Sequence, residues 1–353
     1  MRLLVVNFEM DEVSGVLAWQ ASVVRELAAR CEFVVVVTSR LGRFTCPNNV
    51  HIHVVPKWVW GIPRRFGGRW LVNLNLISLI RQYKIDACFI HMAMEWTYVL
   101  APALKLYQIP VLVWYAHGTV SNRLRLAHAL ADRIVTSTPE GFRLPSDKVH
   151  VIGQGVDTAL FQIPQLADDR NDILYVGRVS QRKRIDLLVG VMSEIRKIQP
   201  NLLLCLRIVG PALTPGDQGY QRRIQALIDA NGLNGWIELA GFVPQQGIAA
   251  YYRNAFLHLN VSKTGSMDKT ILEALACGCP VLTSNEAFVE MFRDHPDFLL
   301  QSDDPKDIAE RTLDLYRSRH SFDPGRLRSL IIGHHDIDSY ADKVISQLKE
   351  ILQ

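Results

Sequence analysis

The residues able to do chemistry in this 353-residue chain gather in two short segments of its second half. An apolar run over 173–176 ends in Gly177-Arg178, and Gln181-Arg182-Lys183-Arg184 follows, just before an apolar helical pattern. Four cations thus fall within seven residues at a helix N-terminus, where the macrodipole is already positive. The arrangement is unfavourable unless an anion lies there, so a phosphate-bearing ligand is expected. The second segment, Ser262-Lys263-Thr264-Gly265-Ser266-Met267-Asp268-Lys269, is polar and leads into Thr270-Ile271-Leu272-Glu273-Ala274-Leu275-Ala276-Cys277-Gly278-Cys279-Pro280-Val281. Gly278 and Pro280 end one helix and open a strand, which puts Glu273 in the helix's first turns, facing the same end of the sheet.

Lys269 opens that helix, where the dipole disfavours it. Asp268 beside it does not compensate, because adjacent helical residues do not face each other. Lys269 and Asp268 are therefore expected to hold the anionic or hydroxyl-bearing end of a ligand, and Lys269→Ala to cost turnover without costing stability.

The amino half offers scattered candidates. Glu9 follows the first apolar run; His91 and Glu95 follow another, and all three are candidates for contacts to a second substrate. His117-Gly118 follows a third run, and Ser14-Gly15-Val16 precedes the first helical pattern. Residues 57–70 hold Lys57, Arg64, Arg65 and Arg69 with Trp58, Trp60, Phe66 and Trp70, and no acid. Such a loop suits an anionic membrane surface or a lipid-phosphate acceptor, or else packs its tryptophans as a crossover. Residues 1–160 carry 17 Lys/Arg against 11 Asp/Glu, a balance of +6, while the remainder carries 22 against 24. The basic half is the one fitted to an anionic partner. No nucleic-acid motif occurs, and nucleic acid is not expected as a partner.

Several chemistries are excluded. Gly153-Gln154-Gly155 lacks the third glycine and following helix of a dinucleotide site, and there is no phosphate-binding loop of the Gly-Lys-Ser/Thr kind. Asp336-Ile337-Asp338 stands where an N-cap is needed, so it is read as a cap and no metal site is expected. The six cysteines lie at 31, 46, 88, 205, 277 and 279 without a Cys-x-x-Cys pair, which reads as reduced thiols. The first seven residues are too short an apolar stretch for a signal peptide, and the most apolar stretch, 85–104, contains Asp86, His91 and Glu95. A cytoplasmic location is expected, peripheral on the inner membrane face if 57–70 binds lipid.

The elements that must position these residues alternate. Strands are expected over 2–8, 33–38, 50–55, 86–91, 110–116, 133–137 and 148–152, with helices over 16–30, 70–83 and 96–107. The pattern restarts with strands over 173–176, 202–209, 236–239, 256–261 and 280–283 and helices over 185–198, 220–231, 248–254 and 270–277. Short apolar strands separated by helices imply parallel sheets buried on both faces. Composition is globular, at 48% hydrophobic and 21% charged, and the length fits two domains. The fold class expected is α/β, two doubly wound domains in tandem, 1–160 and 171–335, with a linker over 158–171 and a cleft between them. An amphipathic helix over 336–353 is expected to pack back on the first domain.

Five pieces in order resemble the retaining glycosyltransferases of family 4, which have the GT-B fold. They are Gly177-Arg178 with Lys183; the segment from Glu273 to Val281; Gly155-Val156-Asp157; Val209-Gly210-Pro211; and Leu239-Ala240-Gly241-Phe242-Val243-Pro244. The resemblance covers nearly the whole chain. It implies transfer of a sugar from a UDP- or GDP-sugar to a hydroxyl acceptor, lipid-linked or polysaccharide, with no metal and no cofactor. It implies that Arg178 and Lys183 stabilise the departing diphosphate, that Glu273 accepts from ribose hydroxyls, that His117 touches the transferred sugar, and that Gly15, Gly265, Ser266, Thr270 and Ile271 line the donor. The family has two glutamates eight positions apart; here Gly265 replaces the first, and Thr264-Gly265-Ser266-Met267-Asp268-Lys269 marks a subset. Two rival readings stay open: a nucleotide-sugar epimerase on the same fold, and a non-catalytic nucleotide-sugar-binding subunit.

Overall fold

Leu3, Leu4, Val5 and Val6 are wholly buried, with alternate side chains in two different cores. A strand apolar on both faces must be covered on both, and a parallel sheet between helix layers does that. The computed structural model describes residues 1–14, 17–55, 68–164, 170–263 and 265–353, with the backbone alone for 68–70. It divides into two units, Met1–Gly155 with Ile337–Gln353, and Val156–Asp336.

The first unit runs β1 (Arg2–Val6), β2 (Glu9–Met10), α1 (Trp19–Arg30), β3 (Phe33–Thr38), β4 (Arg40–Leu41), β5 (Val50–Val54), α2 (Gly68–Tyr83), β6 (Ala87–His91), α3 (Glu95–Leu106), β7 (Val111–Trp114), α4 (Asn122–Leu130), β8 (Arg133–Thr136) and β9 (Val149–Val151). Its sheet is seven-stranded and parallel, in the order β5-β3-β1-β6-β7-β8-β9. The short pair β2–β4 stands apart from it, beyond what the apolar runs predict.

The second unit runs β10 (Asp172–Val176), α5 (Ile185–Ile198), β11 (Cys205–Val209), α6 (Pro215–Ala230), β12 (Ile237–Gly241), α7 (Gln245–Asn254), β13 (Ala255–Asn260), α8 (Lys269–Ala276), β14 (Val281–Thr283), α9 (Pro305–Arg317) and α10 (Pro324–Ser329). All five strands pair in parallel, in the order β12-β11-β10-β13-β14. The order reverses between β10 and β13, so ligands of such a sheet belong beyond the carboxyl ends of those two strands. Both chemically rich segments start there.

The crossing between units differs from the linker expected over 158–171. It falls between Gly155 and Val156, because Val156 and Phe161 are wholly buried in the second unit's core. Arg328 donates to the carbonyls of Thr158 (2.8 Å), Phe161 (2.5 Å) and Ala276 (2.5 Å), which ties that segment down.

The chain returns to the first unit through α11 (Ile337–Ile351). Tyr340, Ala341, Val344 and Leu348 enter the core that also holds Trp19, Val23 and Leu27 of α1. Arg30 of α1 clips the helix, 2.6 Å from both Asp338 and Asp342. Asp336 accepts from the Gly333 N–H at 2.6 Å, so the two acids of the Asp-x-Asp motif serve different units. All six cysteines are free thiols, with Cys46 exposed.

Candidate active site

Two glycines shape the loop after β10. Gly177 and Gly210 have φ of +152° and +145°, and a Cβ on Gly210 would overlap the Gly177 carbonyl. Only glycine lets these strand ends meet so closely. The Tyr175 hydroxyl, buried beneath, donates to the Arg178 carbonyl at 3.2 Å and fixes where that residue leaves the strand. Arg178 is exposed, and its guanidinium has no hydrogen bond or ion pair among the described residues.

The other cations are less alone than their spacing suggests. Arg184 meets Asp303 at 3.0 Å, and Lys183 meets Asp268 at 3.0 Å. The helix that follows carries Asp186 in its first turn. Carboxylates from distant loops thus answer part of the charge that the sequence leaves open for an anion. Arg178 and Arg182 remain exposed to solvent.

Asp268 is the hub of the second segment. Its carboxylate takes bonds from Lys183 Nζ (3.0 and 3.1 Å), Asn260 Nδ2 (3.1 Å) and Ser262 Oγ (2.9 Å). It occupies the N-cap of α8 yet makes no side-chain cap bond, forgoing a contact worth about 1 kcal/mol elsewhere. The expectation that Asp268 itself grips the ligand is therefore corrected: its oxygens are engaged within the unit.

Lys269 is corrected too. Its ammonium lies 3.8 Å from Glu273 Oε1, one turn along the same helix, so it has a local partner. Burial lowers its pKa to about 8. Glu273 is itself buried, and burial pushes its carboxyl upward against the pull of Lys269. Tyr252 donates to Glu273 Oε2 at 3.2 Å.

Gly265, where the resemblance implies a glutamate, is buried with φ of +67°. A glutamate there would be strained. The Ser266 carbonyl accepts from Asn285 Nδ2 at 2.8 Å. Thr270 is half-buried, whereas Ile271 is wholly buried in the core and has only its backbone to offer a ligand. Thr264 and Gly15 lie outside the described residues, as does the loop 56–67.

Within one unit the structure thus pairs Lys183 with Asp268 and Lys269 with Glu273. Asn260, Tyr252 and Tyr175 belong with them and escape sequence reasoning, since an apolar strand or helix gives no hint which polar residue reaches the site, while Ser262 comes from the polar segment already singled out.

The first unit treats its candidates differently. His117 is exposed, its ring centre 5.6 Å from that of Tyr115, whose hydroxyl donates to the Thr119 carbonyl at 2.8 Å. Glu95 opens α3, half-buried, with Tyr115 in its electrostatic reach. Glu9 is buried, paired with Arg40 and bonded by Ser14 Oγ at 3.1 Å, so the β2–β4 pair uses it internally. His91 is wholly buried, 4.7 Å from the Trp19 ring and 5.2 Å from that of Phe89. It is a core residue and not an acceptor contact.

Two family models match this chain, "Glycosyltransferase Family 4" over residues 13–160 and "Glycosyl transferases group 1" over 170–318. The chain is a glycosyltransferase of the family 4 type. Among relatives, a phosphatidylinositol N-acetylglucosaminyltransferase component from Arabidopsis thaliana is 28% identical over 164 residues, 46% of this chain and 35% of that protein. Alpha-monoglucosyldiacylglycerol synthase of Acholeplasma laidlawii is 24% identical over 330 residues, 79% of each chain. The match spans only about a third of the Arabidopsis protein. Among solved structures, Anabaena HepE in complex with UDP and glucose superposes with a TM-score of 0.78 at 17% identity, over 99% of this glycosyltransferase and all of that chain. The fold is GT-B, with two Rossmann-like units.

Proposed function

We propose that this glycosyltransferase moves a hexose-type sugar from a nucleoside diphosphate to a hydroxyl acceptor with retention at the anomeric carbon. The observation that carries the donor reading is the exposed Arg178 guanidinium, which follows β10 on the same loop as Lys183, at the sheet's point of reversal. A guanidinium can fork two phosphate oxygens, an ammonium supplies a point charge, and a carboxylate accepts from ribose hydroxyls. HepE holding UDP on the same fold supports the choice of nucleotide class.

In this reading the bond from the anomeric carbon to the phosphate oxygen breaks as the acceptor oxygen bonds the same face. The acceptor proton passes to the departing phosphate oxygen, so no protein base is needed. Arg178 and Lys183 offset the charge growing on the diphosphate. In this reading the diphosphate is held by protein groups and the transfer is independent of metal.

For the acceptor we favour a lipid-linked hydroxyl at the inner membrane face. The names of the Arabidopsis and Acholeplasma relatives, and the basic aromatic composition of 57–70, support it. Leu71 and Leu74 on the following helix are exposed at 44% and 60%. No helix among the described residues is long and apolar enough to cross a membrane. Sedimentation with anionic vesicles should pellet the protein, and removal of the Trp60, Arg64 and Arg65 side chains should leave it in the supernatant.

Thermal unfolding with UDP, GDP and their sugars tests the donor. The cognate nucleotide at ~100 times its Kd adds about 2.7 kcal/mol of stability. Arg178→Ala or Lys183→Ala should weaken binding by ~1.5–3 kcal/mol, with chelator making no difference. Wild-type binding by the double variant would overturn the reading.

A further inference from the structure

Lys183 is a long, flexible side chain in a short turn, Gln181–Lys183, yet it is largely buried and held by two residues. Its ammonium lies 3.0 and 3.1 Å from the two Asp268 oxygens and 3.3 Å from Ser262 Oγ. The holder is held in turn. Asn260 Nδ2 reaches Asp268 Oδ2 at 3.1 Å, and Ser262 Oγ stands 2.9 Å from the same oxygen and 2.6 Å from Asn260 Oδ1. Asn260 ends β13, and the Ser262 N–H also donates to its Oδ1 at 3.0 Å, so the assembly is anchored on the central sheet. Asp268 sits where a side chain would normally cap α8 and does not do so.

We infer that Asp268, backed by Asn260 and Ser262, is a positioning residue that fixes Lys183 for the donor's diphosphate. The inference rests on the donor site proposed above. An ammonium has three N–H groups; a forked bond to the carboxylate and one to Ser262 leave a third for a phosphate oxygen. Ordering the side chain before the ligand arrives removes that ordering cost from binding. The carboxylate also offsets the cost of holding an ammonium in a largely buried place. The pair adds no net charge, so Lys183 acts through direction and the exposed Arg178 supplies the net attraction.

Calorimetric titration with UDP and with GDP, using whichever binds the wild type, tests this. Asp268→Ala should weaken binding at least tenfold, and Asp268→Glu should recover to within about threefold of wild type. In a Lys183→Ala background the same Asp268→Ala change should cost less than twofold. Equal or tighter binding by Asp268→Ala shows that the carboxylate competes with the phosphate for Lys183, and overturns the inference. An undiminished loss in the Lys183→Ala background overturns it as well, since Asp268 would then act elsewhere. Unchanged binding by Lys183→Ala alone overturns the donor site itself. If Asp268→Ala fails to fold, Asn260→Ala and Asp268→Asn carry the same comparison.

Discussion

Lys269 and Glu273 form an ion pair along one face of α8, Nζ to Oε1 at 3.8 Å, with Lys269 only 16% exposed and Glu273 less. Each answers the other's burial. Burying one without the other would leave an uncompensated charge, which is far costlier than the pair. Because Glu273 is the residue proposed to accept from ribose, Lys269 acts through it: the ammonium opposes the upward push of burial on the carboxyl.

Lys269→Met should therefore weaken nucleoside diphosphate binding, and more so at low pH than at high. Without the ammonium, burial leaves Glu273 protonated in a larger share of molecules, and a protonated carboxyl is a poorer acceptor. Raising the pH should recover part of the loss as Glu273 ionises. Titrations of wild type and variant at pH 6, 7.5 and 9 check this. Equal affinities at all three would refute it.

Stability should respond to the same lysine. Its pKa is about 8 when folded, against roughly 10.4 in an unfolded chain. Between those values the unfolded chain binds more protons, so rising pH favours the fold, by up to about 3 kcal/mol in all. Buried thiols oppose this: burial raises Cys277 and Cys279 to about 12, so their unfolded forms ionise first. The difference between wild type and Lys269→Met isolates the lysine. That difference should grow in favour of wild type from pH 8 to pH 10 in denaturant titrations. A constant difference would contradict the assignment.

Much of this architecture is legible in the residues. Uninterrupted apolar runs such as Val34 to Val37 announce parallel strands, Gly177 and Gly210 mark the ends of two, and Gly278 marks the end of a helix. The pair Lys269–Glu273 is legible as well, being four apart, although the adjacent Asp268 draws the eye first. Thr214 bonds the Asp217 N–H at 3.1 Å in a capping box, so α6 begins five residues before the apolar pattern over 220–231 does. Likewise Asp304-Pro305 and Asp323-Pro324 open α9 and α10, which periodicity does not reveal. His91 misleads because a histidine at a strand end looks the same whether a ligand or four aromatic rings surround it. Asn260 gives no signal, since only the fold brings the end of an apolar strand to Asp268.

Truncation after Asp336 should unfold the first unit. The removed helix buries Tyr340, Val344, Ile345 and Leu348. At ~1.5–3 kcal/mol each, they contribute on the order of 6–12 kcal/mol, comparable with the whole stability of a domain. Hydrogen exchange should show loss of protection in β1, β3 and β6 while β10 and β11 of the second unit keep theirs. Retained protection in β1 would show that the helix is dispensable.

Restoring the family's glutamate should harm this protein. Gly265 is buried and its φ of +67° lies in the left-handed region, where a non-glycine residue costs roughly 1–2 kcal/mol. A buried carboxylate would add a desolvation cost in a place already holding Asp268 and Glu273. Gly265→Ala tests the backbone alone and should lower the unfolding midpoint. Gly265→Asn should lower it less, because asparagine tolerates this conformation. Gly265→Glu should lower it most and should weaken UDP or GDP binding, since a displaced loop moves Asp268 away from Lys183. The opposite result, tighter binding with an unchanged midpoint, would mean that the loop accepts the glutamate and that the placement of Asp268 beside Lys183 survives it.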